Sequence, residues 1–424
     1  MSKSYSIRDN CRLCLREKLT PRLFLTPTPP ANELAKTCDL LSPVEEFPLY
    51  LVSCDYCGHV QLPVVISPER LFNDYVYVSG TSPVFVKHFE DYADDLINKY
   101  SLQENDLVVE IGSNDGTLLR FFQNFGARVI GIDPAVKIAE KANESGINTI
   151  CDFFNHELVE KIIDANGRAK IVVANNVFAH ADDIRSIVLG VKNLLELGGH
   201  FVFEVSYLVD VLEKTLFDTI YHEHLAYHHI DPLCRLFDEF GMCLYDAKRV
   251  DTHGGSIRCY VVNSRANETR NLNSFINHES ILGLKTDFIG SSINFSKIDP
   301  FRILESRIET LRSELKSYLY DSFKSGRSIS GFGYPAKATT LLYHFGLGRR
   351  EFQYIIDDST WKQGLYSPGK GIEIVSSEYA EKFRTDDVVI LAWNFADSII
   401  KKNMSFLDRK GRIVVPLPEL LIHG

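Results

Sequence analysis

A phenol, a carboxylate and several imidazoles crowd into one short stretch, Tyr221-His222-Glu223-His224-Leu-Ala-Tyr-His228-His229. Its four histidines invite a metal, but the helical zinc signature H-E-x-x-H needs a second histidine at 226, where the chain has Ala226. Proton chemistry is the better reading, because groups that give and take protons gather within reach of one carbon. A second set of chemical residues does suit a metal. Cys11-Arg-Leu-Cys14 and Cys54-Asp-Tyr-Cys57-Gly-His supply two C-x-x-C pairs, and four soft thiolates are what tetrahedral zinc prefers. Gly58 permits the tight turn behind the second pair, and His59 is an alternative ligand. No open coordination position is implied, so the zinc is expected to be structural, with catalysis elsewhere.

The elements that must position the chemistry begin at Asp106–Ala135. Leu107–Ile111 is an apolar, β-branched run that suits a buried parallel strand, and Gly112-Ser-Asn114-Asp-Gly116 is a small-residue turn. Thr117–Asn124 has helical spacing, and a second strand, Arg128–Ile132, ends in Asp133. This is the first half of a nucleotide-binding α/β sheet, in which Asp133 can grip two ribose hydroxyls. Glu110 before the turn and Asp115 within it repel phosphate but suit a ligand carrying an ammonium and a sulfonium, as S-adenosylmethionine does.

Further strand ends follow. Asn148–Ile150 leads into Asp152-Phe153, where a carboxylate can take an adenine's exocyclic amine while the ring packs on an apolar face. Ala169–Ala174 leads to Asn175 and His180, at the carboxyl end of a strand, where an open sheet holds its ligand. Gly198-Gly199 reads as a turn before the strand His200–Val205, and His253-Gly254-Gly255 as a loop whose backbone amides can meet a ligand. Asn263–Phe295 is polar and reads as a surface-exposed helical link. After an amphipathic helix from Phe301 to Lys324, Gly331-Phe-Gly333-Tyr334-Pro-Ala336-Lys337 spells G-x-G-x-x-A between a strand and a helix. The next strand, Phe352–Ile356, ends in Asp357. Alone, that fingerprint argues for NAD, and Lys337 adds a charge that suits a diphosphate.

The net charge of −10 and the lack of a Lys/Arg block argue against nucleic acid or an anionic membrane as partner. With no signal peptide and no apolar run of spanning length, a cytoplasmic protein is expected.

The arrangement resembles the sugar C-methyltransferases that act on nucleotide-linked 4-keto-deoxysugars. The resemblance rests on the cysteine pairs, EIGSNDGTLL at 110–119, YHEH at 221–224, HGGS at 253–256, GYPAK at 333–337, KQGLYSPG at 362–369 and AWNFA at 392–396. It implies an α/β protein in three parts: a zinc-binding domain (1–72), a Rossmann-like methyltransferase domain that binds S-adenosylmethionine (73–265), and a helical link with a Rossmann-like nucleotide-sugar-binding domain (266–424). It implies that the GFGYPA fingerprint holds no NAD and that Tyr75 or Tyr77, Tyr221, Glu223 and His224 line the sugar pocket. Ser79, His180, His253, Gly254, Tyr334, Lys337 and Asn394 are the further expected substrate contacts, and a monomer is expected. The chain departs from the family in reading AYHH after HEHL, where SYFS is nearer the pattern, which leaves the sugar open. With such a substrate, a base removes the proton α to the C4 ketone, and the enolate takes the methyl group. His224 is the candidate base, Tyr221 a donor to the enolate oxygen or a proton relay, and Glu223 an orienting or charge-balancing group, with the roles of Tyr221 and His224 open to exchange. An NAD-dependent oxidoreductase and a non-catalytic zinc scaffold are the alternatives.

Overall fold

A computed structural model describes residues 4–38, 44–72, 83–284 and 299–424. Tyr75, Tyr77 and Ser79 lie outside the described residues.

Strands β1 (Tyr5–Ile7), β2 (Leu19–Thr28), β3 (Phe47–Cys54), β4 (Val60–Gln61) and β5 (Val64–Ile66) build the N-terminal part. β2, β3 and β4 are antiparallel, and β1 pairs with β5. Alternate residues of β3, Phe47, Leu49 and Leu51, are buried, which pins its register because a one-residue slip would turn them to solvent.

The central sheet contains β6 (Leu107–Ile111), β7 (Arg128–Ile132), β8 (Thr149–Ile150), β9 (Ala169–Asn175) and β10 (Leu195–Ser206). After the short strand β11 (Ala226–Tyr227), β12 (Cys243–Val250) and β13 (Ser256–Val262) complete it in the order β12-β13-β10-β9-β6-β7-β8. β8, β7, β6, β9 and β10 are parallel; β13 and β12 are antiparallel additions. All five residues of β6 are buried, Glu110 among them, as the apolar residues around it require of a strand covered on both faces. Gly198-Gly199 does not start a new strand: β10 begins at Leu195 and absorbs the glycines as a register irregularity. β11 leaves this sheet and pairs with β4, giving the N-terminal sheet the order β11-β4-β3-β2.

In the C-terminal part, helix Pro300–Lys324 starts with proline at its first turn, and Asp299 accepts from the Phe301 amide. Strands β14 (Ile329–Phe332), β15 (Ile355–Ile356), β16 (Ile374–Val375), β17 (Asp387–Ile390), β18 (Arg412–Val415) and β19 (Leu421–His423) form a sheet ordered β16-β15-β14-β17-β18-β19. The strand expected over Phe352–Ile356 shrinks to Ile355–Ile356, the two residues that pair with both β14 and β16. Both open sheets reverse direction beside their first strand, between β6 and β9 and between β14 and β17, and ligand crevices form at such points.

The expected surface link contains helix Arg270–Ile281, most of it exposed. It is more than a link, since Glu279 is fully buried. That carboxylate accepts from the Tyr207 hydroxyl at 2.7 Å, the Ile230 amide at 2.7 Å and the Asp231 amide at 3.1 Å, so it serves the start of helix Ile230–Glu239.

Candidate active site

Gly112 closes the turn after β6 with φ +67°, and a Cβ there would lie 2.3 Å from Val177 Cγ1. Only glycine permits that approach. Glu110, Gly112, Asn114, Thr117 and Asn175 line a small cavity at the carboxyl ends of β6 and β9, with Phe89 of helix Pro83–Lys99 across from them. Asn175 Nδ2 donates to Glu110 Oε1 at 3.2 Å. Glu110 Oε2 and Asn175 Oδ1 are buried acceptors with no hydrogen-bond partner among the described residues. Burial pushes the Glu110 carboxyl well above its ordinary range. Unused acceptors facing a cavity suit a ligand that carries positive charge and N–H donors, and the methionine end of S-adenosylmethionine has both.

Asp133 is buried, and each of its oxygens already accepts a backbone hydrogen bond, Oδ2 from Asn114 and Oδ1 from Ala135, both at 2.9 Å. A carboxylate oxygen accepts more than one hydrogen bond, so the acid can hold the turn and still meet ribose hydroxyls. Gly116 caps helix Thr117–Phe125 with φ +74°. Asp152 and Phe153 lie just past β8, both open to solvent, with the Phe153 amide donating to Asp152 Oδ1 at 2.7 Å.

The YHEH stretch divides its labour. Tyr221 Oη lies 2.9 Å from His224 Nε2, and His224 Nδ1 lies 2.9 Å from the Thr219 carbonyl. A carbonyl only accepts, so Nδ1 carries the hydrogen and Nε2 keeps a lone pair toward the phenol. Burial pushes His224 down to about 4 against the pull of the Thr219 carbonyl, which keeps the ring neutral near pH 7. The His180 ring centroid is 5.0 Å from that of His224, so the two sequence candidates meet. Glu223 is 2% exposed; burial raises its carboxyl to about 7, opposed by Asn32 Nδ2, which donates to Oε1 at 2.7 Å. His222 turns the other way, its Nε2 donating to the Pro48 carbonyl at 3.2 Å.

Of the AYHH run, Tyr227 reaches this pocket, its hydroxyl donating at 3.4 Å to the Thr219 carbonyl that holds His224, while the two histidines turn to the N-terminal sheet. His228 stacks between Phe178 and His59, with centroids at 5.3 and 5.5 Å. His229 Nε2 donates to the Gly58 carbonyl at 3.2 Å, while Nδ1 faces Glu279 Oε2 at 3.2 Å. Burial opposes a charge on His229, but Glu279 outweighs it and raises the pKa. Both histidines bind domains together.

On the third side, Lys337 Nζ donates to Asn394 Oδ1 at 2.7 Å and lies 3.5 Å from the centre of the Trp393 ring. Trp393 Nε1 donates to Asp218 Oδ2 at 2.6 Å, joining this corner to the YHEH segment. Burial lowers Lys337 to about 8, with Asp218 opposing. Two expectations change here. Gly254 is glycine because of Trp393, whose Cη2 would be 2.4 Å from a Cβ, so the close approach is to protein. The Tyr334 side chain points inward, its hydroxyl 2.9 Å from Thr339 Oγ1, and so is spent on packing. Of His253 only the backbone is described, in the short helical turn Thr252–Gly254.

The sulfur atoms of Cys11, Cys14, Cys54 and Cys57 all lie within 4.8 Å of one another, with Cys11–Cys57 at 3.6 Å and Cys14–Cys54 at 3.5 Å. This donor set fits one tetrahedral zinc. His59 is not a member, because its buried ring faces His228.

Sequence reasoning missed Asn32, which ends the proline-rich run Thr26–Asn32 between the two cysteine pairs. It also missed His88, whose Nε2 lies 2.8 Å from Glu204 Oε2 while Arg258 Nε donates to Oε1 at 2.6 Å. Burial raises Glu204, but His88 and Arg258 outweigh it and hold the carboxyl below its ordinary range. This bridge anchors the helix that carries Phe89. A lone histidine in a helix gives no sign of such a partner.

Three family models match the chain: "Putative zinc binding domain" over 11–72, "Methyltransferase domain" over 85–245 and "C-methyltransferase C-terminal domain" over 251–418. The C-methyltransferase NovU of Streptomyces niveus is 34% identical over 413 residues, covering 97% of this chain and 96% of that protein. A ubiquinone biosynthesis O-methyltransferase of Methylobacterium sp. (strain 4-46) is 32% identical over 98 residues, 22% of this chain and 38% of that protein. Among solved structures, magnesium protoporphyrin IX methyltransferase from Synechocystis PCC 6803 with bound SAM aligns at 14% identity with a TM-score of 0.33, covering 46% of this chain and 92% of that one.

Proposed function

The chain belongs to the family of S-adenosylmethionine-dependent C-methyltransferases, and from that premise we propose that it methylates a nucleotide-linked 4-keto-deoxysugar at C3, through an enolate, in making a branched sugar. The observation that carries this reading is the Tyr221–His224 pair, a neutral imidazole whose free nitrogen meets a phenol at 2.9 Å. Methyl transfer to carbon needs a carbon nucleophile, and a sugar carbon becomes one only beside a ketone. Transfer to a hydroxyl or amine requires no such deprotonation.

Gly112–Gly116, Glu110 and Asn175 would hold the amino-acid end of the cofactor, Asp133 its ribose, and Asp152 with Phe153 its adenine. S-adenosylmethionine, when bound, supplies a sulfonium methyl group open to in-line attack by carbon. The protein's own work is proton movement. His224 Nε2 takes the proton from the carbon α to the ketone, and the Tyr221 hydroxyl turns from Nε2 to the developing enolate oxygen. Holding Nδ1–H on Thr219 makes Nε2 the nitrogen that accepts. Glu223 balances the charge that His224 gains. Lys337 and Asn394 take the diphosphate, and Tyr75 or Tyr77 completes the sugar pocket. The zinc is structural. We place the enzyme in the cytoplasm as a monomer, with neither nucleic acid nor membrane as partner, in keeping with its net charge of −10.

The test is mass spectrometry of products from a panel of nucleotide-linked 4-keto-deoxysugars in deuterated solvent. A singly methylated sugar with solvent deuterium at the carbon α to the ketone in unreacted substrate is expected. Methylation on oxygen, or no product with any 4-keto sugar, would overturn the reading.

A further inference from the structure

The N-terminal sheet and the YHEH stretch are joined residue by residue. His222 Nε2 donates to the Pro48 carbonyl, and its Nδ1 lies 3.5 Å from the Thr28 hydroxyl. The Leu62 amide donates to the Leu225 carbonyl at 3.0 Å. Ala226 and Tyr227 pair with Gln61 and Val60 as β11, and His229 reaches the Gly58 carbonyl between Cys57 and His59. Within this seam, Asn32 donates to Glu223 Oε1 at 2.7 Å across 191 residues of sequence. Asn32 is held firmly. It follows Pro29, Pro30 and Ala31, directly after β2, and prolines fix the backbone that delivers it. Its neighbour Ala31 is buried, and the Ala31 carbonyl accepts from Thr339 Oγ1 at 3.3 Å. On the opposite side, Thr340 Oγ1 donates to the Ile220 carbonyl at 2.8 Å, so the C-terminal helix Lys337–Phe345 clamps both ends of the contact.

We infer that the cysteine-bearing domain is a wall of the active site and that Asn32 is the residue that positions the Glu223 carboxylate for the reaction. The inference rests on the reading of Glu223 as part of the methyl-transfer site. A domain whose only task was to hold its own fold together would not need to project an amide onto a buried carboxylate of another domain. A buried carboxylate without such a donor would be free to turn or to take a proton. Asn32 acts through Glu223 and is a positioning residue.

The test is a double-variant cycle of Asn32→Ala and Glu223→Gln in the full-length, zinc-loaded protein. Turnover is measured with whichever nucleotide-linked 4-keto sugar the wild type methylates. Asn32→Ala should lower kcat about ten- to a hundredfold, the factor one hydrogen bond to a charged group represents, with KM changing less. Calorimetric affinity for S-adenosylhomocysteine and zinc content should stay at the wild-type values, which a mere folding defect would not allow. In the Glu223→Gln background, Asn32→Ala should cost no further activity. Unchanged kcat in Asn32→Ala, or the same loss in both backgrounds, would overturn the inference. Wild-type turnover by Glu223→Gln would overturn it too, while leaving the methyl-transfer reading to stand on its product assay. The same cycle read on Tm needs no sugar. Non-additive shifts there support the contact even if no 4-keto sugar is methylated, and additive shifts refute it.

Discussion

Asp133 and Asp357 perform the same task in two different sheets. Asp133 takes the Asn114 amide on Oδ2 and the Ala135 amide on Oδ1; Asp357 takes the Tyr334 amide on Oδ2 at 2.7 Å and the Ser359 amide on Oδ1 at 2.8 Å. Each acid ends the second strand of its sheet and locks the glycine turn of the first. Their surroundings differ, because Lys362 Nζ lies 3.5 Å from Asp357 Oδ2, whereas Asp133 meets no such cation among the described residues and burial raises its carboxyl.

The pair therefore separates scaffold from ligand. Asp133→Asn should weaken S-adenosylhomocysteine binding by about 1–3 kcal/mol, on the scale of hydrogen bonds to a charged group. Asp357→Asn should lower Tm and leave that affinity unchanged. Calorimetry on both variants checks this, and equal affinities would remove Asp133 from the cofactor site.

Tyr221 and His224 should divide by the step they serve. His224→Asn retains similar bulk but supplies no base, so both solvent exchange and methylation should vanish while cofactor affinity remains. Tyr221→Phe should cost on the order of a hundred- to a thousandfold in rate, the value of one oxyanion donor. Exchange that survives in His224→Asn and vanishes in Tyr221→Phe would reverse the two roles.

Burial raises the Glu223 carboxyl from 4.5 to about 7, with Asn32 opposing. A raised acid favours the folded state below its unfolded value, and that contribution is lost as pH climbs through the folded value. Glu223→Gln, which cannot ionise, should thus gain stability over the wild type above pH 7, by at most about 3 kcal/mol. The gap should close below pH 4.5. Thermal unfolding across that window gives the answer, and a constant gap would show that Glu223 is not ionising there.

Lys337, lowered to about 8 by burial with Asp218 opposing, should lose its charge at mildly alkaline pH. KM for a nucleotide-linked substrate should rise through that range in the wild type and stay flat in Lys337→Met, with no change in cofactor affinity. A parallel pH profile in the variant would take Lys337 out of the diphosphate site.

Purified protein should contain one zinc per chain, since four sulfurs within 4.8 Å of one another fit a tetrahedral site. Cys54→Ser should lose it together with order in the N-terminal sheet, since Cys54 is also the last residue of β3. Metal analysis and hydrogen exchange of that sheet follow the two losses, and zinc-free wild type would refute the site.

Much of this protein is determined by the sequence alone, because the determining forces are local. The apolar run of β6, the strand from Arg128 to Ile132, the glycine turn between them and the two cysteine pairs are read from residues a few positions apart. Their periodicity and spacing are complete within each segment. What the tertiary structure decided is which segments meet. Nothing local tells that Ala226 and Tyr227 form a strand of the N-terminal sheet, that His228 and His229 serve that seam, or that Gly254 makes room for Trp393. Asn32 and Glu223 stand 191 residues apart and carry no shared pattern. Their contact exists only because three domains pack against one loop, and burial there, not residue type, sets the protonation of Glu223 and His224.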